Sequence, residues 1–444
     1  MSHLFGTDGV RGIANTELSC QVAFRLGQAA VAFLGNTIIV GKDTRLSGDM
    51  LESALIAGVM SRGGTALQAG IIPTPGIALL ARTLVCDGGV VISASHNPAE
   101  YNGIKFFDAQ GFKLPVSTED AIEAFVLDGA ALDASLPTGD GVGVAIPVEN
   151  ACELYVANAV KSMTDQGITL DGLRIALDVG HGASALTSAS CLRQLGAEVV
   201  AINEDFDGLD INRECGSTHL DPLCALVADV GADVGIAHDG DADRVMLVDA
   251  LGNIIDGDVV EAVCALDLKA SGKLTGNTVV STVMCNLGFT HAMRDAGIDM
   301  LQTQVGDRYV LEAMREGGYV IGGEQSGHMI FLEYNSTGDG LVTACQFLAA
   351  CQRLGKTVAQ AAELMPRFPQ KLINVQVKDK HALPDCAPVQ EAIAQATAEL
   401  GENGRVLVRT SGTEPLVRVM VEAATEQHAT EVAQRIAEVV KKLV

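Results

Sequence analysis

Basic residues are scarce in this chain. Only 30 Lys and Arg stand against 55 Asp and Glu, a net charge of −25. A surface of that sign repels nucleic acid and anionic membranes. Any anion site must therefore be built locally from Arg, Lys and backbone N–H groups. Long apolar runs are missing too: no stretch of about 18 apolar residues escapes polar interruption, so no membrane span is expected. The opening Phe5-Gly6-Thr7-Asp8-Gly9-Val10-Arg11-Gly12 lacks the apolar core of a secretory leader. The eleven cysteines are odd in number and include no Cys-x-x-Cys pair. That argues against a disulfide framework and for reduced thiols in a cytoplasmic protein. Also absent are the Gly-Lys-Ser/Thr ending of a P-loop, the Gly-x-Gly-x-x-Gly of a dinucleotide site and the Gly-x-Ser-x-Gly of a nucleophile elbow.

What remains is 444 residues, 48% apolar and 19% charged, enough for several globular domains with ample core. Strand and helix signals alternate. Thr37–Val40 is a β-branched run, followed by a polar turn and a helix from about Ser47 with Leu51, Leu55 and Val59 on one face. Strands are expected at Gly89–Ile92, Leu173–Leu177, Val234–Ala237 and Thr278–Thr282, each leading into a polar or glycine-rich turn, with a helix from about Asn286. This β–turn–α repetition predicts parallel α/β layers with loops at the strand exits, where open α/β sheets bind ligands. Boundaries are read near Gly139–Gly143 and Pro366–Pro369. The last segment reads as α+β: strands near Leu372–Val377, Arg405–Arg409 and Leu416–Glu422, with helices at Val389–Leu400 and at the end.

Four loops carry chemistry. Ser93-Ala94-Ser95-His96-Asn97-Pro98, followed by Tyr101-Asn102-Gly103-Ile104-Lys105, puts a serine at a strand exit. Alone it fits a nucleophile or an ordinary turn with a capping serine equally well. Asp239-Gly240-Asp241-Ala242-Asp243-Arg244 spaces three carboxylates at i, i+2, i+4. Bunched, they repel without a cation, and they can converge on one hard metal. An EF-hand is excluded, since the sixth position is Arg244 and the twelfth Ala250. Gly322-Gly323-Glu324-Gln325-Ser326-Gly327-His328 presents groups suited to sugar hydroxyls, or is simply a hairpin turn. Arg409-Thr410-Ser411-Gly412-Thr413-Glu414-Pro415, with Arg418 beyond, reads as a phosphate cradle on an otherwise acidic chain. Arg11, Lys42 and Arg45 could add positive charge near a phosphate. His181, His219 and His238 are not spaced as a metal set, and His181 and His219 read as structural.

A nucleophile, a three-Asp loop, a hydroxyl reader and a distant phosphate cradle together suit phosphoryl transfer on a substrate that already carries a phosphate. Over its whole length the chain resembles the α-D-phosphohexomutases, with their four signature loops in order. The opening Phe5–Gly12, the Cys215-Gly216-Ser217-Thr218-His219 turn, Val305-Gly306-Asp307-Arg308-Tyr309-Val310 and Gly323–His328 resemble the branch that handles amino-sugar phosphates; relatives acting on neutral hexose phosphates commonly have Met where Gln325 stands. The resemblance implies an α/β fold of four domains around a central cleft: residues 1–150, 151–252 and 253–366 with related mixed parallel sheets, and an α+β domain at 367–444 that closes over the cleft. It implies Ser95 as phosphoserine, and one Mg²⁺ held by Asp239, Asp241, Asp243 and a phosphoserine oxygen. Lys105 and Arg244 would flank the transferring group, with Lys105 also the first candidate for proton handling through a lowered pKa. Arg11 and His96 are further catalytic candidates. Glu324, Ser326 and His328 would bind the sugar, and Arg409, Ser411, Gly412, Thr413 and Arg418 the idle phosphate. The implied reaction interconverts glucosamine 6-phosphate and glucosamine 1-phosphate through a 1,6-bisphosphate, feeding UDP-N-acetylglucosamine and cell-wall precursor synthesis; glucose or glucosamine 1,6-bisphosphate would be activator or intermediate. Neutral hexose phosphates are the alternative substrates. The partner is a small hexosamine phosphate, and the resemblance points to a homodimer. Two positions depart from the family pattern: the Asp178-Val179-Gly180-His181-Gly182 turn and Asp210.

Overall fold

The computed structural model describes residues 4–6, 8–128, 136–377, 379, 382–384, 386–410 and 416–443. They form two compact units, Met1–Val283 with Asp299–Glu363, and Met284–Ile298 with Leu364–Val444.

The first unit contains three sheets. The first has β1 (Phe5–Gly6), β2 (Gly9–Ile13), β3 (Thr37–Lys42), β4 (Thr65–Ile71), β5 (Gly88–Ile92), β6 (Tyr101–Asp108) and β7 (Ala145–Pro147), in the order β1-β2-β6-β5-β3-β4-β7. Strands β5, β3, β4 and β7 run parallel, while β6 is antiparallel to β5 and to β2. Ile38, Ile39 and Val40 are all fully buried, as befits a central parallel strand covered on both faces. The helix Gly48–Ser61 packs Leu51, Leu55 and Val59 into the same core as Ile38 and Val40. The second sheet has β8 (Arg174–Asp178), β9 (Glu198–Ile202), β10 (Val234–His238), β11 (Val245–Asp249) and β12 (Ile254–Ile255), ordered β12-β11-β10-β8-β9. The third has β13 (Thr278–Thr282), β14 (Asp299–Thr303), β15 (Ile321–Gly323) and β16 (Met329–Phe331), ordered β14-β13-β15-β16.

The second unit is an antiparallel sheet of β17 (Gln370–Gln376), β18 (Gly404–Thr410) and β19 (Leu416–Ala423), with β19 central. Val417, Val419 and Val421 from β19 meet Val389 of the helix Ala387–Leu400 and Val432 and Ile436 of the helix Glu426–Leu443 in a core of their own. The helix Leu287–Asp295 belongs here too. Its N-cap Asn286 accepts from Gly288 N–H and donates its amide to Glu422 and to the Phe368 carbonyl.

The strands expected from β-branched runs are present, with ends moved by a residue or two, a shift within the fraying of element ends. Two local readings change. Tyr101–Lys105, read as a continuation of the serine loop, is the first half of strand β6. The turn after β8 does not enter a helix directly but passes through a single 3₁₀ turn, Ala183–Leu186, before the helix Ser188–Gln194. Among the described residues no helix is long and apolar enough to cross a membrane.

Candidate active site

Strand β5 ends at Ile92, and the chain turns through Ser93–Pro98 before returning as β6. Ser95 sits in that turn with φ +53, the left-handed region that a residue with a Cβ seldom occupies. Its side chain is buried, and its Oγ donates to Asp239 Oδ2 at 2.6 Å, with His96 Nδ1 3.4 Å away. Burial, together with the nearby Arg244 and Arg11, holds the His96 imidazole down at about 4, so it is neutral near pH 7.

Asp239 follows β10, so the metal loop sits at a strand exit as the pattern predicted. Gly240 lets it approach the serine: an added Cβ would stand 2.7 Å from the Ser95 carbonyl oxygen. Ligand atoms of Asp239, Asp241 and Asp243 all lie within 4.8 Å of one another, and the three residues are buried. Burial, then Asp243 and Asp241, push the Asp239 carboxyl up to about 8. Two buried oxygens, Asp241 Oδ1 and Asp243 Oδ1, have no hydrogen-bond donor. Hard carboxylate oxygens that crowd together, buried and undonated, fit a divalent cation bound through oxygen. Asp239 Oδ1 accepts the Arg244 N–H at 3.3 Å, and other oxygens are held from outside the loop. Thr74 Oγ1 donates to Asp241 Oδ2 at 2.6 Å, and Lys105 Nζ to the same oxygen at 2.9 Å.

Lys105 lies on β6, where strand alternation turns it to this cluster. The expectation of a lowered pKa is corrected. Burial, and to a smaller extent Arg11, would lower it, but Asp241, Asp8 and Asp243 outweigh both and hold it firmly protonated. Arg244, next to the triad, has its Nε 3.7 Å from Asp243 Oδ1 and has no partner on that nitrogen. Arg11, on β2, pairs with Asp8.

The turn after β15 presents Glu324 and Ser326. Ser326 is exposed, and Glu324 Oε1 accepts the Gly306 N–H at 3.1 Å. His328 is 3% exposed and lies between two acids, Nδ1 at 3.6 Å from Asp243 Oδ2 and Nε2 at 3.4 Å from Asp307 Oδ2. Burial opposes its charge, but Asp243 and Asp307 outweigh it and raise its pKa. Asp307 and Asp8 both reach Lys113, and Asp8 reaches Lys105 at 3.0 Å, 3.5 Å in turn from Asp243. The result is a closed ring of alternating charge: Lys113, Asp8, Lys105, Asp243, His328, Asp307. Lys105 and His328 hold the Asp243 carboxyl well below the usual range, against the upward push of burial. Sequence reasoning missed Asp8, Lys113 and Asp307 as part of this site. Only their place inside two glycine-flanked turns and near a strand end hinted at it.

Of the three auxiliary cations, Lys42 is engaged by Asp49 and Glu52, and Arg45 binds backbone carbonyls of the serine loop, that of Ser95 among them. His181 and Asp210, the two departures from the family pattern, meet each other at 3.4 Å.

In the second unit, Arg409 and Arg418 stand directly opposite across β18 and β19. Burial and the neighbouring Arg418 pull the Arg409 pKa down. Like charges facing each other on a hairpin are unfavourable unless an anion joins them. Ser411, Gly412 and Thr413 lie outside the described residues.

Models of all four domains of the phosphoglucomutase/phosphomannomutase family match the chain: domain I over residues 2–132, domain II over 153–252, domain III over 256–368 and the C-terminal domain over 372–439. The chain belongs to this family, the α-D-phosphohexomutases. A phosphoglucosamine mutase of Desulforamulus reducens is 50% identical over 445 residues, covering 99% of both chains. One from Clostridium novyi is 49% identical over 451 residues, covering 100% of this chain and 99% of that one. Among solved structures, a phosphoglucomutase/phosphomannomutase family protein of Burkholderia thailandensis superposes with a TM-score of 0.82 at 23% identity, covering 100% of this chain and 98% of that one. N-acetylphosphoglucosamine mutase of Aspergillus fumigatus, solved with GlcNAc-6P and magnesium, gives a TM-score of 0.70 at 18% identity, over 99% of this chain and 95% of that one. At those identities the structural likeness speaks for the fold. The phosphohexomutase fold thus has its four parts here, with the fourth built on an antiparallel sheet.

Proposed function

We propose that this phosphohexomutase interconverts glucosamine 6-phosphate and glucosamine 1-phosphate through a phosphoserine at Ser95 and a 1,6-bisphosphate. The observation that carries the chemistry is the contact of Ser95 Oγ with Asp239 at 2.6 Å, beside two more carboxylates with undonated oxygens. The choice of an amino sugar is supported by full-length relatives 47–50% identical that are phosphoglucosamine mutases.

The sugar hydroxyl at O1 attacks the phosphorus of phospho-Ser95. The new P–O1 bond forms as the P–Oγ bond breaks; the hydroxyl proton leaves to a nearby base, to which we assign the neutral His96, and the imidazole returns it to the departing Ser95 Oγ, 3.4 Å from its Nδ1. Lys105 and Arg244 place positive charge beside the oxygens of the transferring group. The bisphosphate then turns, and Ser95 Oγ attacks the 6-phosphoryl group as the P–O6 bond breaks; two acceptors for the serine proton stand at 2.6 Å on Asp239 and 3.4 Å on His96, and the proton passes on to the departing O6. Asp239, Asp241 and Asp243, with a phosphoserine oxygen, would hold Mg²⁺, which when bound supplies Lewis-acid polarisation of the phosphoryl oxygens. Glu324 and Ser326 take sugar hydroxyls. Arg409, Ser411, Gly412, Thr413 and Arg418 take the phosphate that is not reacting. His328 is assigned to orienting Asp243 rather than to the sugar. The product fits synthesis of an activated amino sugar.

The test is turnover of glucosamine, glucose and mannose 6-phosphates side by side in Mg²⁺, with phosphorylation followed by intact mass. Preference for glucosamine 6-phosphate and an 80-dalton phosphoryl adduct that disappears in Ser95→Ala are expected (the adduct mass is about that of HPO₃). Preference for mannose 6-phosphate would overturn the substrate. Full activity of Ser95→Ala would overturn the mechanism.

A further inference from the structure

The loop that carries Ser95 is gripped by a residue that touches no reacting group. Arg45 lies in the turn after β3, and its side chain and that of Asp43 are fully buried. All five guanidinium N–H donors find acceptors. Nε donates to Asp43 Oδ2 at 2.9 Å. One terminal nitrogen donates to the carbonyls of Ser95 at 2.9 Å and Asn97 at 2.7 Å. The other donates to the carbonyls of Pro98 and, at 3.1 Å, Tyr101. Four backbone carbonyls therefore converge on one cation, and they span the loop from the nucleophile to the first residue of β6.

Asp43 extends the grip. The same Oδ2 accepts the Ser93 hydroxyl at 2.6 Å, and Ser93 Oγ accepts the Ser95 N–H at 2.9 Å. From the second sheet's side, Asn212 Nδ2 donates to the Ser95 carbonyl at 2.9 Å and the Asn97 carbonyl at 3.2 Å. The left-handed backbone at Ser95 persists only if its surroundings impose it, and these bonds are what surround it.

We propose that Arg45 is a positioning residue for phosphoryl transfer: by gathering the carbonyls of Ser95, Asn97, Pro98 and Tyr101 it fixes where Ser95 Oγ stands against Asp239. The task calls for a planar fork with five donors. A lysine offers three donors from one atom and cannot reach acceptors on two sides at once. The inference rests on the reading of Ser95 as the residue that carries the phosphoryl group.

The test compares wild type with Arg45→Lys, Arg45→Ala and Ser93→Ala in Mg²⁺. Kinetics on glucosamine 6-phosphate are read beside the rate at which glucose 1,6-bisphosphate phosphorylates Ser95, followed by intact mass; folding is checked by circular dichroism and Tm. Arg45→Lys should lower kcat about 100-fold, the scale of a 1 Å misplacement, while KM moves less than about threefold, since groups that bind the sugar are untouched. Millimolar guanidinium should restore part of the kcat of Arg45→Ala, and methylammonium should not. A folded Arg45→Lys within about threefold of wild-type kcat, or a loss carried wholly by KM, would overturn the proposal. If both Arg45 variants fail to fold, Ser93→Ala decides: a kcat loss of about tenfold at unchanged KM supports it, and unchanged kcat overturns it. Wild-type inactivity on every hexose phosphate defeats the mutase reading. The Arg45 inference is then still decided by the variant-to-wild-type ratio of Ser95 phosphorylation.

Discussion

Asp239 carries two opposed demands. It accepts the Ser95 hydroxyl and crowds against Asp241 and Asp243 in a buried site. With no cation present its carboxyl is pushed up to about 8, above the ordinary value near 3.9. The folded, metal-free protein thus keeps a proton that the unfolded chain has released. That stability is full below the unfolded value and is lost as pH rises through about 8. Asp239→Asn should flatten this slope in EDTA and raise the metal-free Tm at pH 8 by about 2 °C or more, while abolishing both turnover and the response to Mg²⁺. Denaturation midpoints measured from pH 5 to pH 8, with and without Mg²⁺, check it; a variant that still gains stability from Mg²⁺ would contradict the assignment. At this scale the triad was legible, because three Asp at alternate positions have few other uses. The charge state of Lys105 was not, because Asp8 and Asp241 reach it from segments 97 and 136 residues away in sequence, by subtraction of residue numbers. The acids beside His328 were hidden for the same reason: Asp243 and Asp307 come from a different loop and a different helix.

Elements decide how the loops meet. Gly240→Ala would press a methyl group against the Ser95 carbonyl at 2.7 Å and part the three-Asp loop from the serine loop. We expect a kcat loss of about 100-fold with secondary structure intact, by the same misplacement logic; kinetics with circular dichroism check it. The helices Val116–Leu127 and Asp307–Gly317 are joined by Arg308, one nitrogen of which lies 2.6 and 2.7 Å from the two oxygens of Glu119. Both side chains are mostly buried. Arg308→Ala should cost about 2 kcal/mol, below the range for wholly buried pairs, because it strands a carboxylate. Adding Glu119→Ala should recover part of that loss, as urea unfolding of the double variant would reveal. Apolar β-branched runs made the parallel strands readable. Strand β6 was harder, since Asn102 and Gly103 near its start have little β-propensity and its place comes from pairing with both β2 and β5.

At the scale of the whole molecule, the two compact units each have a core. Calorimetry should therefore resolve more than one transition. Mg²⁺ at about 100 times its Kd should raise the transition of the unit holding the triad, by about 2.7 kcal/mol, and leave the other in place. Val419→Ala should lower only the other; a single transition shifted by both treatments would contradict this. The order of α/β parts and the α+β build of the last part were legible from periodicity; the antiparallel pairing of its strands was not. The assignment of Met284–Ile298 to the second unit was not, because Asn286 finds Glu422 only in three dimensions.

The ring of Lys113, Asp8, Lys105, Asp243, His328 and Asp307 draws one member from strand β6, one from the helix Asp307–Gly317 and the rest from segments between or after strands of the three sheets. In a circle of alternating sign, exchanging one member alone takes a partner from both of its neighbours at once. Evolution can edit such a circle only by paired steps. The six positions should descend together as a block, and a descendant in which one has changed sign should carry the answering change in the residue next to it around the circle.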